Sequence, residues 1–538
     1  MPERRPQPAP GLLQSAGIVS AAVATSRVTG LMRESVLGAL FGAGASLDAF
    51  ILGYRIPNLA RDLFADGALS AAFVPTFSRY LATRSQAEAR ELSNIVATLL
   101  MVIVGGLCCL GMLASPLFVE LFASGFHAVP GKFELAVQLV RIMFPFLLLV
   151  ALAAQAQGIL NTCHRFGVPA VSSSLFNVGS IATGLALGRW VGPKVGLSAV
   201  HCMAFGVLAG GAAQLAFQLP SVWRAGFGWK PQILWRHEGV WQILRLMGPA
   251  VIGGASVQVN VLINTMFAAG LRDASGHVMN GPVTWLNCAF RFMQLPIGVF
   301  GISLASAALP RLARSAAEGD IRAFRETLLQ SLTTMALMTI PASVGLAVLG
   351  RSMIALVYQH GRFLAADTRQ TALALACYAL GLAAYASVRL LSPAFYALGD
   401  ARTPMLVSIG SVGVNGAVSF ATVRIFGLGH AGLALSLSAV SIFNSLTLLG
   451  FLARRLGGIG GRELALNCLK SLFASALMGL VCLGVLRVLP GPAASLLAGV
   501  PLGALVYYGV ASVLGIRELD RVRDALLRRA APSRGRLW

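Results

Sequence analysis

Between residues 27 and 66 the chain places Arg27, Arg33, Glu34, Asp48, Arg55, Arg61, Asp62 and Asp66 in otherwise apolar surroundings. A charged side chain at a bilayer centre costs roughly 2.5–3.5 kcal/mol on insertion scales, so it faces an aqueous cavity or a partner. Arg27 and Glu34, seven residues apart, share a helix face, as do Asp48 and Arg55. Arg33 points elsewhere, so the charges do not form one stripe. In the second half, Arg291 sits within "NCAFRFMQLPIG". Several arginines with few lysines nearby suit a diphosphate, because the planar guanidinium offers forked donors to phosphate oxygens. Arg27, Arg33 and Arg291 are the candidates for that chemistry. Arg55, Asp62 and Asp66, near one end of a span, read as interfacial or structurally paired.

The elements that must hold these charges are membrane helices. Of 538 residues 56% are hydrophobic and 12% charged, with mean hydropathy +0.75, against about 25% charged in a soluble protein. Fourteen stretches approach the roughly 20 apolar residues a span needs, which predicts an all-α polytopic membrane protein with both termini on one side. Loops after the even-numbered stretches carry Arg79, Arg84, Arg165, Arg224, Arg311, Arg402 and Arg454, and the tail is basic too. The opposite loops offer fewer, such as Lys132, Arg189, Lys194, Arg272, Arg362 and Arg487. Both termini are therefore expected in the cytoplasm. The opening "MPERRPQPAPGLLQSAGIVSAAVA" imitates a signal peptide, but its helical pattern continues through Arg27 and is expected to be a retained first helix.

Net charge +22 is spread over span ends, which argues against nucleic acid as a partner and for a tail facing anionic lipid. The cysteines form no C-x-x-C pair, no H-E-x-x-H occurs, and Gly131-Lys132 lacks the P-loop context. No metal, cofactor or catalytic constellation is expected. Coupling to the membrane potential or to an ion is left open.

An internal duplication organises the spans. "YRIPNLARDLFADGALSAAFVPTFSR" parallels "FRFMQLPIGVFGISLASAALPRLAR", and Pro75 and Pro310 lie 235 apart. Pro169 and Pro404 are also 235 apart, and Gly196 and Gly432 are 236 apart. Two parallel six-helix repeats are expected to form two lobes around a central cavity, with two further helices outside the duplication. The expected layout is a cytoplasmic segment 1–10, an N-lobe 11–225, a C-lobe 236–455, spans 13 and 14 over 464–516, and a basic cytoplasmic tail 517–538. Parallel repeats of this kind rock against each other around a site between them.

At "SRVTGLMRE", "GAGASLDAF", "IPNLARDLFADGALSAAFVP", "RFMQLPIGVFGISLASAALP", "YQHGRF" and "SPAFYALGDARTP" the chain resembles the MurJ/MviN lipid II flippases, within the multidrug/oligosaccharidyl-lipid/polysaccharide exporter superfamily. The resemblance runs from about residue 11 to about 516. It implies a cationic cavity, a lipid-tail groove at spans 13 and 14, and the undecaprenyl-diphosphate-linked peptidoglycan precursor as substrate. It places the bacterial inner membrane as the location, a monomer as the working form, and leaves room for cell-wall synthesis proteins as partners. By motif it assigns diphosphate binding to Arg27, Arg33, Arg61 and Arg291, and a gating or charge-partner role to Asp48 and Glu34. Where some relatives flank the last arginine with acidic residues, this chain has Phe290 and Gln294. The competing readings are a drug/cation antiporter or another lipid-linked oligosaccharide flippase of the superfamily, and a membrane scaffold without transport. An antiporter predicts twelve spans and an anionic cavity.

Overall fold

The computed structural model describes residues 12–62, 69–234, 237–273 and 275–516. Asp66, Arg236, the first ten residues and the basic tail lie outside the described residues. The chain divides into two compact units, Met1–Gln258 and Val259–Trp538. Unit 1 contains α1 (Leu12–Phe41), α2 (Ala45–Ala60), α3 (Ser70–Thr83), α4 (Gln86–Leu113), α5 (Ser115–Ala123), α6 (Lys132–Met143), α7 (Phe146–Thr162), α8 (Gly167–Ala186), α9 (Gly192–Val195) and α10 (Ala199–Arg224). The division falls inside α11 (Glu238–Ala269). Unit 2 contains α12 (Pro282–Pro296), α13 (Ser303–Ala317), α14 (Ile321–Tyr358), α15 (Ala365–Ala379), α16 (Leu382–Ala397), α17 (Arg402–Phe420), α18 (Gly429–Leu456), α19 (Gly461–Val488) and α20 (Pro492–Val513).

Among the described residues ten helices are long and apolar enough to cross a membrane, or eleven when α15 and α16, bent by 46°, count as one span. Three of the fourteen expected stretches fall short, each for an identifiable reason. α1 carries Arg27, Arg33 and Glu34 inside its thirty residues. Residues 63–68, between α2 and α3, lie outside the described set, and so do the side chains of 248–250 and 252–254 in α11, which leaves the apolar segment Ala255–Ala269 beyond them.

The duplication is visible in local geometry within each unit. A π-helical turn, Leu187–Val191, follows α8, and another, Ala421–Ile425, follows α17, 234 residues later. A further π-helical turn, Ile297–Ile302, follows α12, and Arg61 and Asp62 at the end of α2 share that winding. Such turns are rare and favour functional positions. Buried asparagines tie each unit's first repeat helix to its fifth. Asn177 Nδ2 of α8 donates to Ser26 O (3.2 Å) and Thr29 Oγ1 (3.3 Å) of α1. Asn415 Nδ2 of α17 donates to Asn260 O (3.0 Å) of α11, and Asn260 Nδ2 to Ser411 Oγ (3.3 Å). In a nonpolar medium such bonds matter because an unmatched amide has no water to turn to.

The loops before the fifth helices are tied down as well. Arg165 Nη1 donates to Ser221 O at the end of α10 (3.2 Å). At the repeat-related place Arg455 of α18 grips Asp400 (3.1 Å) and Leu398 O (3.1 Å). The backbone N–H and hydroxyl of Thr403, then the Arg455 charge, hold the Asp400 carboxyl below the usual carboxylate range. Because its folded pKa is depressed, the stabilisation it supplies is present above the ordinary carboxylate value. It is lost as pH falls through the depressed one. The connection after α10 is pinned to α4, where Asn94 Oδ1 accepts from Lys230 N and Thr98 Oγ1 from Gln232 N and Trp229 Nε1.

α19 and α20 pack on α14 through Leu337, Leu349, Ala474, Met478 and Tyr507, and the Tyr507 hydroxyl donates to Leu337 O (2.8 Å). In unit 1, α8 and α10 approach closely through Gly184, Gly206 and Gly210, the small-residue spacing of tightly packed membrane helices. A Cβ on Gly206 would run into Ser180 O and lie 2.9 Å from Gly184 N. Gly206→Val is therefore expected to destabilise the protein by about 1–3 kcal/mol, as overpacking does. Thermal unfolding in detergent measures it, and an unchanged midpoint would mean that α8 and α10 separate without cost.

Candidate functional site

Arg33 lies on α1 and is 8% exposed. Its guanidinium carbon sits 5.2 Å from the ring centroid of Tyr54 on α2 and 5.0 Å from that of Phe176 on α8. Phe146 of α7 completes the aromatic wall, 5.7 Å from Tyr54 and 5.2 Å from Phe176. The Asn177 bonds to α1 fix the register that presents Phe176 to the arginine. Arg33 Nε and Nη1 are buried with no hydrogen-bond partner among the described residues. A desolvated cation–π contact gives about 2 kcal/mol, while each buried donor left unmatched costs roughly 1–3 kcal/mol or more. The rings hold the charge in place without neutralising it. What the arrangement can do is accept an anion.

The other expected residues distribute unevenly. Arg27, on the same helix, is exposed, and Glu34, beside Arg33, is buried at 9% exposure. Arg61 closes a fork on its neighbour Asp62, with Nε and Nη2 at 3.1 and 2.8 Å from Oδ1, and Asn58 Nδ2 is 3.4 Å from Oδ2. Its charge is therefore largely matched within α2's last turn. Arg291 belongs to unit 2 and is exposed on α12. Beside it Phe290 meets Tyr378 edge-on at 5.6 Å, and Gln294 is half-buried.

Asp48 is placed by a partner that loop-charge reasoning did not supply. Its Oδ2 lies 3.0 Å from Lys132 Nζ, both side chains being 1% exposed, and the amine also sits 4.2 Å from the Phe126 centroid. Lys132, counted above as a loop charge, is instead a buried tie between α6 and α2. The available signal was its rarity, since the chain has only four lysines. The repeat-related residue of unit 2, 235 positions on, is Asp367, which accepts from Trp285 Nε1 of α12 (3.1 Å). The same pair of helices is tied in both units with donor and acceptor exchanged.

The family profile described as "Lipid II flippase MurJ" matches residues 37–499. The lipid II flippase MurJ of Burkholderia cenocepacia is 34% identical over 445 residues, covering 82% of this chain and 83% of the relative. The probable lipid II flippase MurJ of Rhizobium meliloti is 32% identical over 537 residues, covering 97% of each. Among solved structures, a lipid II flippase MurJ in an inward closed conformation is similar with TM-score 0.76 and 25% identity, covering 93% of this chain and 99% of that one. An inward-facing multidrug MATE transporter shares the fold alone, with TM-score 0.60 and 15% identity over 82% of this chain and 94% of that one.

The Asp48–Lys132 geometry sets a test of Asp48's role. Removing one partner of a buried pair strands the other charge and costs about 3–5 kcal/mol, whereas replacing both by apolar residues is often neutral. Lys132→Met should lower the unfolding midpoint sharply, and Asp48→Leu with Lys132→Met should restore most of it. If the stable double variant also supports transport, Asp48 is a structural tie. If it is stable and dead, the gating role stands.

Proposed function

The chain belongs to the lipid II flippase MurJ family, and from that premise we propose that it moves undecaprenyl-diphosphate-linked peptidoglycan precursor from the cytoplasmic to the periplasmic leaflet by alternating access. It is a multi-pass membrane protein of a flippase family, and its work is transport without covalent chemistry. The observation that carries the site assignment is the Arg33 guanidinium, caged by Tyr54 and Phe176 with two donors unmatched. A diphosphate satisfies those donors with charge-assisted bonds, which are strong where water is scarce. Arg27 and Arg291 extend the same chemistry. Arg61 contributes less, because Asp62 already occupies its fork.

In this reading the prenyl tail stays in lipid beside α19 and α20 while the headgroup crosses. Both termini face the cytoplasm, the working form is a monomer, and cell-wall synthesis proteins receive the product. No cofactor is assigned. The energy comes from the membrane potential, worth about 2.3 kcal/mol per elementary charge per 100 mV, or from a coupled ion.

Complementation of a depleted strain, with immunoblots for protein level, tests the site. Arg27→Ala, Arg33→Ala and Arg291→Ala should each abolish growth at near-normal protein level, and Arg33→Lys should rescue only in part because it loses the fork. Phe176→Leu should impair transport by releasing Arg33, with Phe176→Tyr retaining it. Normal growth of both Arg33→Ala and Arg27→Ala would end the diphosphate assignment. Orientation is read independently: a reporter after Trp538 should be active in the cytoplasm and one near Gly276 in the periplasm, and the reverse pattern would overturn the topology.

A further inference from the structure

α16 is enclosed on most sides by its own unit. Ala386, Leu390, Leu391, Ala394 and Phe395 are buried in a core shared with α13, α14 and α18. The remaining face carries Tyr385, Arg389, Ser392 and Tyr396, whose spacings of four, three and four put them on one line of a helix. Arg389 and Tyr396 are exposed, and Tyr385 and Ser392 are half-buried. The Arg389 guanidinium carbon is 5.4 Å from the Tyr385 centroid, and Nη2 donates to the Tyr385 hydroxyl at 3.3 Å. Among the described residues no carboxylate pairs with it.

Arg389 stands eight residues before the end of α16 at Ala397, about 12 Å along a helix rising 1.5 Å per residue. An arginine that escapes lipid by snorkelling extends toward the nearer membrane surface. This one is fastened the other way, to Tyr385 one turn back along α16 and away from the Asp400 loop. Facing hydrocarbon there would cost roughly 2.5–3.5 kcal/mol on insertion scales, a cost that an aqueous cavity or an anionic partner removes. A ring contact and a phenol oxygen orient the cation and leave its remaining donors available.

We infer that this face of α16 is a second anion-binding surface, at which Arg389, positioned by Tyr385, takes a carboxylate or phosphate of the translocated headgroup. Ser392 and Tyr396 supply hydrogen-bonding groups alongside it for the uncharged parts of the same headgroup. The inference rests on the flippase reading above. It adds to that reading a contact of Arg389 and Tyr385 in unit 2, just before the "SPAFYALGDARTP" stretch that contains Ser392 and Tyr396, with the spacing Y-x3-R-x2-S-x3-Y as its signal.

Binding to the full-length protein in nanodiscs tests it, with lipid II and with undecaprenyl diphosphate as separate probes. Arg389→Gln should weaken lipid II binding about tenfold or more, Arg389→Lys less, and Tyr385→Phe by a few-fold, all with unchanged unfolding midpoints. If Arg389→Gln weakens both probes, the bound group is a phosphate; if it weakens only lipid II, the group is a carboxylate of the peptide. Wild-type affinity for both probes in Arg389→Gln and Tyr385→Phe overturns the inference. Failure of the wild-type protein to bind either probe sinks the flippase reading and this surface with it, a result distinct from equal binding by wild type and variants. Should Arg389→Gln fold poorly, Tyr385→Phe, which removes only a hydroxyl, decides the matter.

Discussion

A buried cation with no carboxylate on it among the described residues, Arg33, is the constraint around which α1, α2 and α8 are arranged. For the proposed role Arg33 must not be neutralised by a carboxylate, yet it must survive away from water. Aromatic faces resolve the conflict, since a ring stabilises positive charge while adding no formal negative charge. The requirement then propagates outward. Tyr54 must come from α2 and Phe176 from α8, so both helices need a fixed register against α1. Asn177 supplies it on one side, and the buried Lys132–Asp48 pair holds α2 on α6 on the other.

Unit 2 meets a milder version of the same problem with different means. Arg389 borrows a ring and a hydroxyl from Tyr385 on its own helix, where Arg33 needs two other helices. It is exposed, so less has to be built to keep it charged. The π-helical turns at repeat-related places show that backbone geometry has been kept where side chains have not.

The helical class was legible because it is a statement about periodicity. Apolar runs mark spans whatever they pack against, and the 235-residue offset recurs in prolines that punctuate helices. The charged motifs also pointed to Arg33. What could not be read was partnership. Lys132 sits 84 residues from Asp48, and Tyr54 and Phe176 reach Arg33 from separate helices, so only the fold decides that they meet. Arg61 shows the converse, because its adjacent Asp62 was visible all along yet motif matching gave the arginine alone a role. In α1 the charges Arg27, Arg33 and Glu34 dilute the apolarity by which a span is recognised.

The exchanged polarity of the inter-helix ties has a consequence for how the two halves can vary. Position 132 is a lysine and position 367 an aspartate, facing Asp48 and Trp285 respectively. Although the halves share a backbone plan, their helices are not interchangeable parts. Grafting α15 into the place of α6 would set one carboxylate against another in a dry setting, and the reverse graft would press an ammonium on an indole N–H. Each half is suited to its own helices by which side of the contact carries the proton, so exchange between the two would be opposed at these contacts.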